Sequence, residues 1–208
     1  MFKKLLAAAL VLSLLVLPVN SVTPAGAPEA SSGQGYLPGD VPAETDAVES
    51  MTPALHALVL ALLNHDAGSF DPEDSSLAWE GLYNMLSLYG QMDSRTVSEN
   101  GELFFPEETV RDYAAALGLD PDRLGAPPAS IRDRLNFDNV SRCYTVVCGE
   151  DGLAQIRVDG LQTAAGAYLL TGSLVYQVDG RTLAEFQAEL LPQDNMFGFM
   201  AAALRVTG

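Results

Sequence analysis

Residues Gly166 to Leu191 read GAYLLTGSLVYQVDGRTLAEFQAELL. Two runs of strand-forming residues flank Asp179-Gly180, a pair suited to a two-residue hairpin turn. Such a turn places Val178 opposite Arg181, and the remaining pairs follow outward. One face then carries Leu169, Thr171, Ser173 and Val175 opposite Leu190, Ala188, Phe186 and Ala184. These residues are small or apolar, so this face is expected beneath helices. The other face carries Tyr168, Leu170, Gly172, Leu174 and Tyr176 opposite Leu191, Glu189, Gln187, Glu185 and Leu183. It mixes large apolar groups with acids, and tyrosine joins an apolar body to a polar tip. Tyr168, Leu170, Leu174, Tyr176, Glu185, Gln187 and Glu189 are therefore the candidate ligand or partner surface. A slip of one residue would exchange the two sets.

The two-residue period extends in both directions. Strands are expected at 142–148, 153–161, 166–178, 181–191 and 196–206, joined by short turn-rich links. Short links between sequential strands predict one antiparallel meander. Gly172, in mid-strand, suggests a bend or bulge. Ahead of the strands the period is helical. Thr52 as cap and Pro53 at the first turn open a helix to His65, with Leu55, Leu58, Val59, Leu62 and Leu63 on one stripe. Asp71-Pro72 opens a second helix that Gly90 stops. Asn100-Gly101 marks a small hairpin, Pro106-Glu107-Glu108 opens a third helix, and a helical turn is expected near Ser130 to Leu135. The fold class is α+β, with N-terminal helices packed on a curved antiparallel sheet.

The chain begins with Met1-Phe2-Lys3-Lys4, an apolar run from Leu5 to Val19, and Ala25-Gly26-Ala27. This is the outline of a secretory signal peptide over residues 1–27. The run is shorter than the roughly twenty residues of a membrane span. It implies a secreted or cell-surface protein with no integral membrane segment after cleavage. Residues 28–50, rich in Pro, Gly, Ser and acids, read as a flexible linker, and 51–208 as one domain.

Lys3 and Lys4 are the only lysines, so cleavage leaves nine arginines against 27 acids, a charge of about −18. A lysine-free chain forms no Schiff base, and this charge opposes nucleic-acid and anionic-lipid binding. Cys143 and Cys148 lie five positions apart, roughly 16 Å along a continuous strand, so free thiols are expected. His56 and His65 fall on opposite sides of one helix and do not form a chelating pair. Asp71, Glu73 and Asp74 suit helix capping better than an EF-hand loop. Asn139-Val140-Ser141 fits a glycosylation acceptor. No catalytic residue, metal site or cofactor is assigned.

Two helices, a hairpin, a third helix and a long meander, over 53–65, 72–90, 106–117 and 142–206, resemble the NTF2-like, cystatin-like α+β cone. The bridge with Ile131, Leu135, Phe137 and Tyr144 is similar to C-terminal domains of uncharacterised secreted proteins from gut Firmicutes. The cone implies a pocket between helices and sheet, which Tyr83, Tyr113, Arg157 and Arg205 would enter. Fold alone does not decide function. Two expectations stand. The first is an exported, non-catalytic interaction module that binds a protein or small molecule or self-associates through the exposed sheet face as a homodimer. The second is a small-molecule enzyme or carrier that uses the cone pocket.

Overall fold

The computed structural model describes residues 44–149 and 153–207. The expected signal peptide and most of the linker, residues 1–43, lie outside the described residues.

Helix α1 spans Glu44–Asn64 and α2 spans Ser75–Tyr89, followed by a single 3-10 turn at Gly90–Met92. Strands β1 (Val97–Glu99) and β2 (Glu102–Pro106) form the small hairpin. Helices α3 (Glu107–Ala116) and α4 (Ala129–Arg132) come next. The strands β3 (Leu135–Asp138), β4 (Cys143–Val147), β5 (Ala154–Ala164), β6 (Ala167–Tyr176), β7 (Thr182–Pro192) and β8 (Phe199–Thr207) complete the chain. The protein is α+β, with two antiparallel four-stranded sheets ordered β1-β2-β4-β3 and β5-β6-β7-β8.

Three expectations are corrected here. Helix α1 begins at Glu44, inside the stretch expected to be linker, and Pro53 lies within it. Proline there removes one ladder hydrogen bond, but Ala47, Met51, Leu55, Leu58 and Leu62 are all fully buried, and that burial carries the helix through. The Thr52 hydroxyl donates to the Val48 carbonyl at 2.8 Å instead of capping an end. Helix α2 starts later than expected. Asp74, not Asp71, caps it, accepting from Ser76 N at 2.9 Å and Leu77 N at 3.3 Å, while Asp71 accepts from Glu73 N and closes the turn before it. Strand β4 does not join the meander. It pairs with β2 on one side and with β3 on the other, leaving four strands in the second sheet. Strand period shows that a segment pleats, not which segment pairs with it.

The register of β6 and β7 also differs from expectation. Leu174 pairs with Ala184, Gly172 with Phe186, Leu170 with Ala188 and Tyr168 with Leu190. From Leu174 inward this is a slip of one residue, and two features set it: a longer hairpin loop, and a register shift between Leu174 and Val175, where Val175 pairs with Thr182. A two-residue turn at Asp179-Gly180 would need positive φ at both residues, and of the two only Gly180 has it, at 73°. The loop is longer. Gly180 N donates to Tyr176 O at 2.8 Å, and Tyr176 N donates to Arg181 O at 2.8 Å. The buried face of β7 is the expected one, with Ala184, Phe186, Ala188 and Leu190 all inside. The β6 residues sharing that face are Tyr168, Leu170, Gly172 and Leu174. Gly172 is no bulge. It leaves room for the Phe186 ring, which an added Cβ would approach to 2.6 Å.

The core lies between α1 and the inner face of the β5–β8 sheet. Leu55, Leu58 and Leu62 share it with Leu170, Leu174, Phe186, Phe199 and Leu204. Helix α2 packs against α1 and is buried over most of its length. Helix α1 is thus covered on both sides, and its second half, from Ala54 to Leu63, is apolar nearly all round. Its Asp46–Asn64 stretch is long and apolar enough to cross a membrane, yet more than half of it is buried inside the domain. Trp79, at 2% exposure, donates from Nε1 to Leu124 O at 3.1 Å and ties the turn-rich segment after α3 onto α2.

Candidate functional site

Three registers place the outer face of the second sheet in cross-strand rows. One row runs Arg157, Ser173, Glu185, Thr207. The next runs Gly160, Thr171, Gln187, Arg205, and an isolated bridge extends it to Ser69. A third runs Gln162, Leu169, Glu189, Ala203. Between the last two lies the row Leu161, Leu170, Ala188, Leu204, whose side chains turn to the core, so it contributes backbone.

Each strand pair of this sheet has one register shift; that of β6–β7 lies between Leu174 and Val175, and the other two shape the groove. The β5–β6 register shifts between Val158 and Gly160, and the β7–β8 register shifts between Glu189 and Leu190, leaving Ala202 unpaired. Bulges bend a sheet and increase its twist. Here they flank a groove of about 670 Å³ over the Gly160 and Gln162 rows. Segment Gly68–Phe70 closes its β8 side, with Phe70 N donating to Leu204 O at 2.8 Å and Val206 N to Gly68 O at 2.9 Å. Gly160 has no side chain, and an added Cβ would lie 2.7 Å from Thr171 Oγ1. At the Asp159 bulge, Arg157 Nε donates to Asp159 Oδ1 at 2.8 Å and the Ser173 hydroxyl donates to Oδ2 at 3.1 Å. The Arg157 hydrogen bond, aided by that of Ser173, holds the Asp159 carboxyl below its ordinary pKa.

Glu189 and Arg205 are the charged residues of the groove. Arg205 Nε donates to Gln187 Oε1 at 3.1 Å, and Nη2 donates to the same oxygen. Its charge therefore meets a neutral amide. Among the described residues Arg205 and Glu189 form no ion pair with each other. Leu169, 40% exposed, and Ala202 and Ala203 supply apolar surface, while Gln162, Thr171 and Gln187 supply polar groups.

The expected partner surface is divided by the slipped register. Tyr168, Leu170 and Leu174 are buried in the core, and Tyr176 is half-buried on the same side. Glu185, Gln187 and Glu189 lie on the opposite, outer face. The four expected pocket residues do not meet. Tyr83 is buried beneath the Arg134 guanidinium, 4.3 Å from its ring centre, and its hydroxyl donates to Val147 O. Tyr113 is buried edge-on to Phe105 and Phe197. Burial, with the Asp93 carboxylate nearby, pushes its phenol up to about 12. Arg157 and Arg205 are both exposed on the outer face, and only Arg205 lines the groove. Of all the residues singled out by sequence, Gln187, Glu189 and Arg205 come together at the groove's polar wall. Gly160, Gln162, Leu169, Thr171 and Ser69 were missed. The signal for them was Asp159-Gly160 inside a strand, since a glycine there marks a bulge.

Other sites are structural. His56 is buried, with Nδ1 2.5 Å from the Tyr89 hydroxyl. Cys143 and Cys148 are free and half-buried. Among the described residues no three His, Cys, Asp or Glu side chains converge as a metal site. Comparison with known protein families, with curated proteins and with solved structures finds no match to this chain.

Proposed function

We propose that this is an exported, non-catalytic binding module of the NTF2-like, cystatin-like cone type, and that it holds its ligand in the outer groove of the four-stranded sheet. The observation that carries this reading is the groove itself. Its volume falls within the roughly 300–1,000 Å³ common for ligand sites. It sets a small apolar area among a few placed polar groups, and the two bulges build it into rigid sheet. The charged N-terminus, apolar run and small-residue cleavage pattern over 1–27 support export. The order of helices, hairpin and meander supports the cone type.

Self-association through a broad apolar sheet face has less to rest on, because Tyr168, Leu170 and Leu174 point into the core. The groove takes a small ligand more readily than a flat partner.

A fragment library screened by backbone amide shifts on the purified protein tests the reading. Hits should cluster on Gln162, Leu169, Thr171, Gln187, Glu189 and Arg205. Hits confined to the helices or to the β1–β4 sheet would overturn it, as would a rise to dimer mass that masks the groove.

A further inference from the structure

We infer that the groove selects a short zwitterion with an apolar body, of the free-dipeptide class, holding its ammonium at Glu189 and its carboxylate at Arg205. This rests on the groove being the ligand site and adds the chemistry of what enters it.

Glu189 pairs across the strands with Ala203, and Arg205 lies two residues further along β8, opposite Gln187. The two charges are diagonal neighbours, a relation that sets backbone positions roughly 7–8 Å apart. Arg205 reaches straight across to Gln187, which spends donors on a neutral oxygen and fixes the guanidinium. A guanidinium carries five donors, so others remain for a carboxylate. The Glu189 carboxylate accepts no hydrogen bond from the side chains of other described residues. The groove thus presents one anion and one cation, held apart and not neutralised by each other.

A ligand that satisfies both must carry opposite charges, and it reaches between side chains whose backbone positions are that far apart. An extended chain advances about 3.3–3.6 Å per residue, so the termini of a dipeptide lie roughly 7 Å apart. Around the charges the ligand meets Leu169 and Ala203 as apolar surface, with Gln162 and Thr171 as hydrogen-bonding groups. A chain with a formal charge of −16 repels a simple anion. A zwitterion avoids that penalty and still uses Arg205.

The probes are the dipeptide Ala-Leu, its N-acetyl form without the cation, and its C-terminal amide without the anion. Binding to the purified protein is read by amide shifts and by calorimetry. Ala-Leu should move groove residues, and each blocked form should bind about tenfold more weakly, the size of one lost charge-assisted hydrogen bond in a partly exposed site. Glu189→Gln should erase the preference for a free N-terminus alone, and Arg205→Gln the preference for a free C-terminus alone. Glu189→Gln is isosteric at a half-buried position, Arg205→Gln shortens an exposed side chain, and Trp79 emission confirms that the variants fold. Equal binding of all three probes, preferences unmoved by either variant, or no Ala-Leu binding at millimolar concentration would each overturn the zwitterion inference. If library fragments still map to the groove, the binding-module reading survives that failure. If they map elsewhere, both fall together.

Discussion

Replacing Gly172 with Ala tests the register on which the whole outer face depends. In most strands this change helps, because alanine restricts the unfolded chain and gains roughly 0.5–1 kcal/mol. Here the new Cβ would stand 2.5 Å from the Arg157 carbonyl oxygen and 2.6 and 2.8 Å from two carbons of the Phe186 ring. The carbonyl belongs to the paired strand β5 and cannot swing aside. Phe186 is 1% exposed and packed in the core, so the ring has nowhere to go. Overpacking of this kind costs roughly 1–3 kcal/mol. The expected net loss is about 1–2 kcal/mol, or about 2–8 °C in midpoint temperature for a domain of this size. Urea unfolding followed by emission of Trp79, the one tryptophan of the chain, and by circular dichroism measures it, with the denaturant slope expected to stay unchanged. In the alternative register Gly172 would face outward opposite Gln187, where a methyl group is harmless. A variant as stable as the parent, or more stable, would therefore refute the pairing of Gly172 with Phe186 and the row map built on it.

Ala165→Asn should stabilise the protein by roughly 0.5–1 kcal/mol, because Ala165 holds φ at 52° beside Gly166 in the β5–β6 turn and asparagine tolerates that conformation far better. An unchanged urea midpoint would count against it. Asp93→Asn should lower stability at neutral pH and flatten the acid limb. The Arg95 guanidinium, donating to both Asp93 oxygens, holds that carboxyl below its ordinary range. A depressed acid contributes stability that is complete above its unfolded pKa of about 4 and is lost as pH falls through the lower folded value. Unfolding free energy measured from pH 7 down to pH 2 should converge for parent and variant at the acid end, and parallel curves would refute the assignment.

Much of the fold was legible because several residues act through local chemistry alone. Asn100-Gly101 takes positive φ at both positions, 53° and 83°, and makes the expected hairpin. Pro106 precedes α3 with Glu107 and Glu108 in its first turn, where acids suit the helix dipole. Asp179-Gly180 looks equivalent on paper, yet Asp179 keeps negative φ, the loop lengthens, and a register shift between Leu174 and Val175 then exchanges the faces of β6 from Leu174 inward. Pro53 misled for a different reason. Its local penalty is outweighed by the burial of Ala47 and Met51, contacts made with distant segments. Glu189, Gln187 and Arg205 were each legible as candidates, but in two different sites. Joining them requires the β7–β8 bulge at Ala202, and a run of three alanines carries no mark of where the strand will buckle.

Helix α1 and strand β8 imply an order of events during synthesis. The first described element rests on the last, since α1 packs against Phe199–Thr207. A nascent chain must carry the apolar side of this twenty-one-residue helix bare of its final cover until its closing strand leaves the ribosome. Truncations that omit β8 should therefore clump or recruit chaperones rather than yield a smaller soluble fragment.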